Sequence, residues 1–229
     1  MAYFDLIQKK QCWVLTNSGW FIILISLIAI VILIAITIYP FLAMNRPLYG
    51  DILVVEGWIP DYLLEKAIVE FKTNNYQRLI TTGGPLSKGA YLSEYKTYAE
   101  LTATTLNKLG VSEEVIVSIP TPLVNTDRTY ATAIAIKKWL LKSDLSIKSL
   151  DIYSVGVHAR RSRLLFEKAL GDKVTVGVIA LESEGYDPQR WWKSSHGVRA
   201  VFGETIAYIY ARFFFYPSPF EQDFTDYKD

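Results

Sequence analysis

Cysteine is almost missing from this chain of 229 residues: Cys12 is the only one, and it lies ahead of a long apolar segment. The rest of the protein can therefore form neither a disulfide nor a thiolate zinc site. Histidine is nearly as scarce, with His158 and His196 alone, and no His-x-x-x-His spacing or carboxylate cluster accompanies them. No dedicated metal site is expected from such a set. Charge of one sign is also lacking, since 24 basic residues face 23 acidic ones for a net charge of +1. A surface that follows a nucleic-acid backbone needs clustered Lys and Arg, so nucleic acid is not an expected partner. There is no Gly-x-Ser-x-Gly elbow and no Walker loop, which removes the common hydrolase and NTPase readings. Internal repeats and low-complexity stretches are absent as well.

What the chain does have is an uncharged run rich in Ile, Leu and Val from Trp20 to Tyr39. At about 1.5 Å rise per residue such a helix reaches roughly 30 Å, the thickness of a bilayer's hydrocarbon core. The apolar region of a cleaved signal peptide is shorter, and residues 40–44 match a small-residue cleavage site poorly, so an uncleaved signal anchor is expected over residues 20–40. Trp13, Trp20 and Tyr39 are placed as interfacial aromatics. Lys9 and Lys10 precede the span, and the nearest basic residue after it is Arg46. That bias puts the N-terminus, residues 1–19, in the cytoplasm and the rest of the chain outside it. The bilayer is thus the first expected partner. A link over residues 41–50, a folded domain over 51–216 and a tail over 217–229 complete the organisation; residues 226–229 match the start of a common epitope tag and carry no functional weight.

Within the domain, short apolar runs alternate with helical patterns. Strands are expected at residues 51–56, 78–82, 114–119, 150–155 and 173–179. Between them, Leu64, Ala67, Ile68 and Phe71 have helical spacing, Ser93 is placed to cap a helix ending near Gly110, and further helices are expected over 126–141 and 158–170. This alternation predicts an α/β fold: a Rossmann-like, mainly parallel sheet with helices on both faces, preceded by one transmembrane helix. The aromatic-rich helical region 188–216 is expected to pack on the sheet, the alternative being that it lies on the membrane surface.

Ligands of such sheets bind beyond the carboxyl ends of the strands. Four loops gather polar groups there: Glu56-Gly57-Trp58; Thr82-Gly83-Gly84 with Ser93-Glu94 beyond; Asn125-Thr126-Asp127-Arg128; and the stretch from Ser154 to His158 and Arg161. His158 and Arg161 are i, i+3 neighbours able to reach one group, and phosphate or carboxylate suits them. His158 is a candidate proton donor or base, Arg161 a charge clamp, and Glu56 or Glu94 the carboxylate of an acid/base pair. Candidate catalytic residues are therefore His158, Arg161 and Glu94. Candidate ligand-binding residues are Glu56, Gly57, Gly83, Gly84, Asn125, Thr126 and Arg128. Blander readings stand beside these: Gly83-Gly84 as a plain turn, Asn125 or Thr126 as a helix cap, the arginines at 160, 161 and 163 as a solvated basic face, and His196 as structural.

Together these segments resemble the YdcF/SanA/ElyC family of bacterial envelope proteins over roughly residues 51–215. Thr82-Gly83-Gly84 stands where that family has a Ser-Gly-Gly turn, and Ser93-Glu94 matches its Ser-Glu pair. Asn125-Thr126 matches its Asn-Thr stretch, and the segment through His158 and Arg161 matches its His-x-x-Arg stretch. Two departures stand out: Arg128 and Thr129 replace a Glu and an Asn, and residues 56–60 replace a glycine-rich loop. The resemblance implies a bacterial inner-membrane protein with a periplasmic or extracytoplasmic domain. It further implies binding of, or action on, a phosphorylated, undecaprenyl-linked glycan or peptidoglycan precursor. A non-catalytic scaffold or accessory subunit, held to a membrane protein partner in envelope biogenesis, is the alternative. The family also contains a soluble member associated with S-adenosylmethionine, but an outward-facing domain lacks access to it, so no cofactor is expected, with S-adenosylmethionine as the alternative.

Overall fold

The computed structural model describes residues 12–86 and 93–217. Lys9 and Lys10, on which the expected orientation rests, fall outside these residues, as does the tail after residue 217. The chain divides into two compact units, residues 1–37 and residues 38–229. The first holds most of α1 (Asn17–Leu42), a helix of 26 residues without a charged side chain. At about 39 Å it is long and apolar enough to cross a bilayer, and its large side chains from Trp20 to Ile36 stand exposed.

The helix does not stop at Pro40. That residue lacks an N–H and so removes one bond from the ladder, yet Ala43 N–H still donates to the Tyr39 carbonyl at 2.8 Å. Tyr39, expected at a membrane interface, is instead buried in the second unit, with its ring edge-on to Tyr186 at 6.1 Å. The second unit thus begins with the last turn of α1, ahead of the boundary expected at residue 51.

β1 (Ile52–Glu56) is buried at every position, as a run without alternating polarity requires when both faces of a sheet are covered. It is the central strand of five, all parallel, in the order β3-β2-β1-β4-β5, with β2 (Arg78–Gly83), β3 (Ile116–Pro120), β4 (Ser149–Val155) and β5 (Thr175–Leu181). Period-two geometry sends Ile52 and Val54 to one face and Leu53 and Val55 to the other. The first pair packs with Ile134 and Ile136 of α4 (Arg128–Lys142) and Leu165 and Phe166 of α5 (Ala159–Leu170). The second packs with Leu63 and Leu64 of α2 (Asp61–Thr73) and Leu106 of α3 (Tyr98–Lys108).

Several boundaries differ from the sequence expectation for local reasons. Ser93 does not cap α3; its hydroxyl accepts from Tyr95 N–H. Thr97 is the cap, in a reciprocal box with Glu100. A box satisfies two orphan donors where Ser93 would satisfy one, so it determines the helix start. Thr97→Ala is expected to destabilise the protein by about 1 kcal/mol, read from denaturant melts of the detergent-solubilised chain, whereas Ser93→Ala should shift them by less than about half of that. Neither Asn125 nor Thr126 caps α4, because Asp127 holds the N-cap position in a left-handed conformation and makes no side-chain cap. β3 starts after a short 3-10 turn over Glu113–Val115, and β5 runs on to Leu181.

The link to β1 is held along its length. Arg46 pairs in antiparallel fashion with Val178 of β5, with backbone bonds of 2.8 and 3.0 Å. The buried carboxylate of Asp151 then accepts from Leu48 N–H at 2.8 Å, Gly50 N–H at 3.3 Å and the Tyr76 hydroxyl at 2.9 Å. Gly177 permits this approach: a Cβ there would stand 1.9 Å from an Asp151 oxygen.

After β5 comes a 3-10 turn (Pro188–Lys193), then α6 (Ser195–Ile209) and a π turn (Tyr210–Phe214). The expected packing of the aromatics holds for Trp191 and for Phe215, whose ring meets Tyr130 at 5.0 Å. It does not hold for Phe202, Tyr210, Phe213 and Phe214, which are exposed.

Candidate functional site

The sheet order places β1 next to β4, with the chain winding outward in opposite directions from the two, and a crevice opens at that switch point beyond the strand ends. A cleft of about 700 Å³ occupies this edge. Its floor comes from the ends of β1 and β2 and from His158 beyond β4, one wall from Gly84 and the start of α4, and the other from α6 and the π turn.

Four ionisable side chains form a connected network in it. Glu56, the last residue of β1, is buried and accepts hydrogen bonds from Ser154 of β4 at 2.5 Å and from Ser162 of α5 at 2.8 Å. His158 follows β4 in a 3-10 turn, with Nε2 3.6 Å from Glu56 Oε1 and Nδ1 2.9 Å from Glu204 Oε1. Arg161 donates to both oxygens of Glu204, from Nε at 2.7 Å and from a terminal nitrogen at 3.0 Å. That terminal nitrogen also lies 2.9 Å from His158 Nδ1. A guanidinium can only donate, so an Nδ1 that carries a proton for Glu204 cannot also accept from Arg161. Trp58 closes over the imidazole edge-on, at 5.1 Å between centroids.

Electrostatics decide the protonation states. Burial opposes a charge on His158, but the adjacent Glu56 carboxylate and the bond to Glu204 outweigh it and lift the imidazole to about 9. Burial likewise works against ionised Glu204, yet the hydrogen bonds from His158 and Arg161 hold it down at about 2. Glu56 is desolvated too, and His158 with the two serine hydroxyls still keeps it below the usual carboxylate range. At neutral pH the network is therefore an imidazolium between two carboxylates. Such a histidine is a proton donor; it becomes a base only near pH 9 and above.

The structure brings together His158, Arg161 and Glu56, and adds Gly83, Gly84, Asn125 and Arg128 to the cleft lining. It does not bring in Glu94, which is exposed and absent from the lining, nor Thr126, also exposed and outside it. Gly57 supports the site without lining it: its N–H donates to the Thr82 carbonyl at 2.7 Å, and a Cβ there would approach that oxygen to 2.3 Å. Arg161 is tied to Glu204 and so is not a free clamp. Arg128, exposed at the opposite rim, makes no ion pair among the described residues. His196 stands apart from the cleft, against Tyr186 at 5.3 Å.

Glu204 is the participant that sequence reasoning missed. It lies 46 residues beyond His158, in the aromatic-rich helical region 188–216. One signal was available: an isolated carboxylate amid apolar residues in that helix, which needs a basic partner if it faces inward. Among the described residues no group of side chains is arranged to hold a metal ion. A scan against protein-family models finds no match to the chain, and no curated protein matches it.

Proposed function

We propose that this chain is a single-pass protein of the bacterial inner membrane whose domain, on the outer side, binds a phosphorylated, lipid-linked envelope precursor and supplies a proton from His158. The observation that carries this reading is the imidazolium held between Glu56 and Glu204 in an open cleft at the switch point. Two further features support it. The last turn of α1 packs at the same edge of the sheet as the cleft, where Tyr39 meets Tyr186 and approaches Gly156, so a ligand embedded in the bilayer by its lipid is within reach. The cleft also pairs a polar floor with an apolar wall that includes Ala207, Ala211 and Phe215, which suits a ligand with a charged head and an apolar tail.

An anion in this cleft would be met by Arg128, by the uncapped first turn of α4 and by the open backbone at Gly84. Arg128→Ala is therefore expected to weaken binding of a polyprenyl phosphate to the detergent-solubilised chain by roughly tenfold or more. Calorimetric titration measures this, with the unphosphorylated polyprenol as reference. Equal affinity for the phosphate and the alcohol, or an unchanged Arg128→Ala variant, would rule the anion site out.

A non-catalytic scaffold that holds a membrane protein partner is a second reading. It is favoured by the fact that His158, Arg161, Glu56 and Glu204 already satisfy one another. Retention of a co-purifying partner by His158→Gln, together with intact complementation of an envelope defect, would select it.

A further inference from the structure

Helix α6 and the π turn after it have two unlike sides. Toward the cleft they present Glu204, Ala207, Tyr210, Ala211 and Phe215. Away from it, Phe202, Ile206, Ile209 and Phe213 follow one another at helical spacing, joined by Phe214, and all five are between 45% and 67% exposed. No acidic side chain interrupts this stripe; the exposed charges beside it are Arg199 near its start and Arg212 near its end. A continuous aromatic surface of this kind is seldom left to water, and aromatics flanked by arginine suit the headgroup layer of a bilayer.

What identifies the occupant is the neighbour of this helix. Phe41, next to last in α1, sits edge-on against Tyr208 of α6 at 5.5 Å. The Arg160 guanidinium stacks on the same Phe41 ring at 3.9 Å and donates to the Phe41 carbonyl. Phe41 is itself 42% exposed and extends the stripe. Because Phe41 lies in the last turn of the one helix among the described residues that is long and apolar enough to cross a membrane, α6 is tied to the level at which the chain leaves the hydrocarbon. We infer that the outer face of α6 and the π turn lies in the interfacial layer of the bilayer that α1 spans. The inference rests on reading α1 as a membrane anchor. Its consequence for the site is direct: Glu204 occupies the opposite side of the same helix, so the cleft opens within about one helix diameter, roughly 10 Å, of the lipid headgroups.

The test uses the full chain in phospholipid nanodiscs, with Cys12→Ser as background and single cysteines introduced by Ile206→Cys, Phe213→Cys, Ile30→Cys or Lys173→Cys, each carrying an environment-sensitive fluorophore. Lys173 is exposed just before β5, at the end of the sheet opposite the cleft, and serves as the aqueous reference. Nitroxide-bearing phospholipids should quench labels at positions 206 and 213 at least about twofold more than at 173, and a shallow nitroxide should act more strongly than a deep one. Labels at 206 and 213 that behave like the one at 173 overturn the inference. If the label at position 30 is quenched in that case, the anchor reading survives alone; if it is not, both fall. Protection of positions 206 and 213 from lipid nitroxides and aqueous iodide alike means that a protein surface covers the stripe, a partner or a second copy, and also overturns the inference.

Discussion

His158→Gln is expected to lower stability by about 3 kcal/mol at pH 7 and to remove most of the pH dependence between about pH 6.5 and 9. The first part follows from what the variant leaves behind. Glu56 would remain buried with only the Ser154 and Ser162 hydroxyls for company, and Glu204 would keep Arg161 but lose the imidazolium. Breaking a buried pair from one side is costly because the surviving charge is uncompensated. The second part follows from linkage. The folded-state value of His158 is raised from 6.5 to about 9, so the stability it contributes is complete below the unfolded value and is lost as pH rises through the folded one. A shift of that size corresponds to something on the order of 3 kcal/mol. Glu204 acts in the opposite direction: held at about 2, it contributes above 4.5 and loses that contribution as pH falls toward about 2. Chemical denaturation of the solubilised protein at a series of pH values reads both limbs. An alkaline limb that persists unchanged in His158→Gln would show that the pH dependence arises elsewhere. If the protein is an enzyme of the proposed kind, turnover should fall by roughly 100-fold or more with little change in ligand affinity.

The second large effect concerns the join between α1 and the sheet. Asp151→Ala would strand three donors at once, Leu48 N–H, Gly50 N–H and the Tyr76 hydroxyl. The Tyr76 hydroxyl is buried and costs about 1–3 kcal/mol when left without a partner, the two part-buried N–H groups cost less because water reaches them, and a total of about 2–4 kcal/mol is expected. Asp151→Asn keeps one carbonyl acceptor and should cost distinctly less. Amide hydrogen exchange adds a local reading: the N–H groups of Leu48 and Gly50 should exchange much faster in Asp151→Ala, while those of β1 keep their protection until global unfolding. Unchanged exchange at Leu48 and Gly50 would mean that the Arg46–Val178 pairing alone fixes the link.

The contrast between these two places explains how far the sequence could be read. Strand runs such as Leu53-Val54-Val55 and Leu150 to Val155 were legible because a strand buried on both faces needs apolar side chains in succession. The start of α3 was misread because Ser93 is an adequate single cap, whereas Thr97 and Glu100 cap reciprocally. Asp151 appeared as one acidic residue inside a strand. Its role depends on a link about 100 residues earlier in the chain that doubles back along β5.

The site divides in the same way. That Glu56, Gly83, Gly84, Asn125, Arg128, His158 and Arg161 would meet at one sheet edge followed from the sequence, since alternating strands and helices place every loop after a strand on the same side. The sequence by itself therefore determined the parallel sheet, the membrane-length helix and the polar strand-end loops of the cleft, all of which arise from local patterns along the chain. Only the tertiary structure decided that Glu204 joins His158 and Arg161, that Glu94 and Thr126 stay outside, and that Tyr39 is buried in the domain. The first and the last are contacts between segments distant along the chain. The charge on a buried imidazole depends on which carboxylates packing brings beside it, and no local periodicity carries that information.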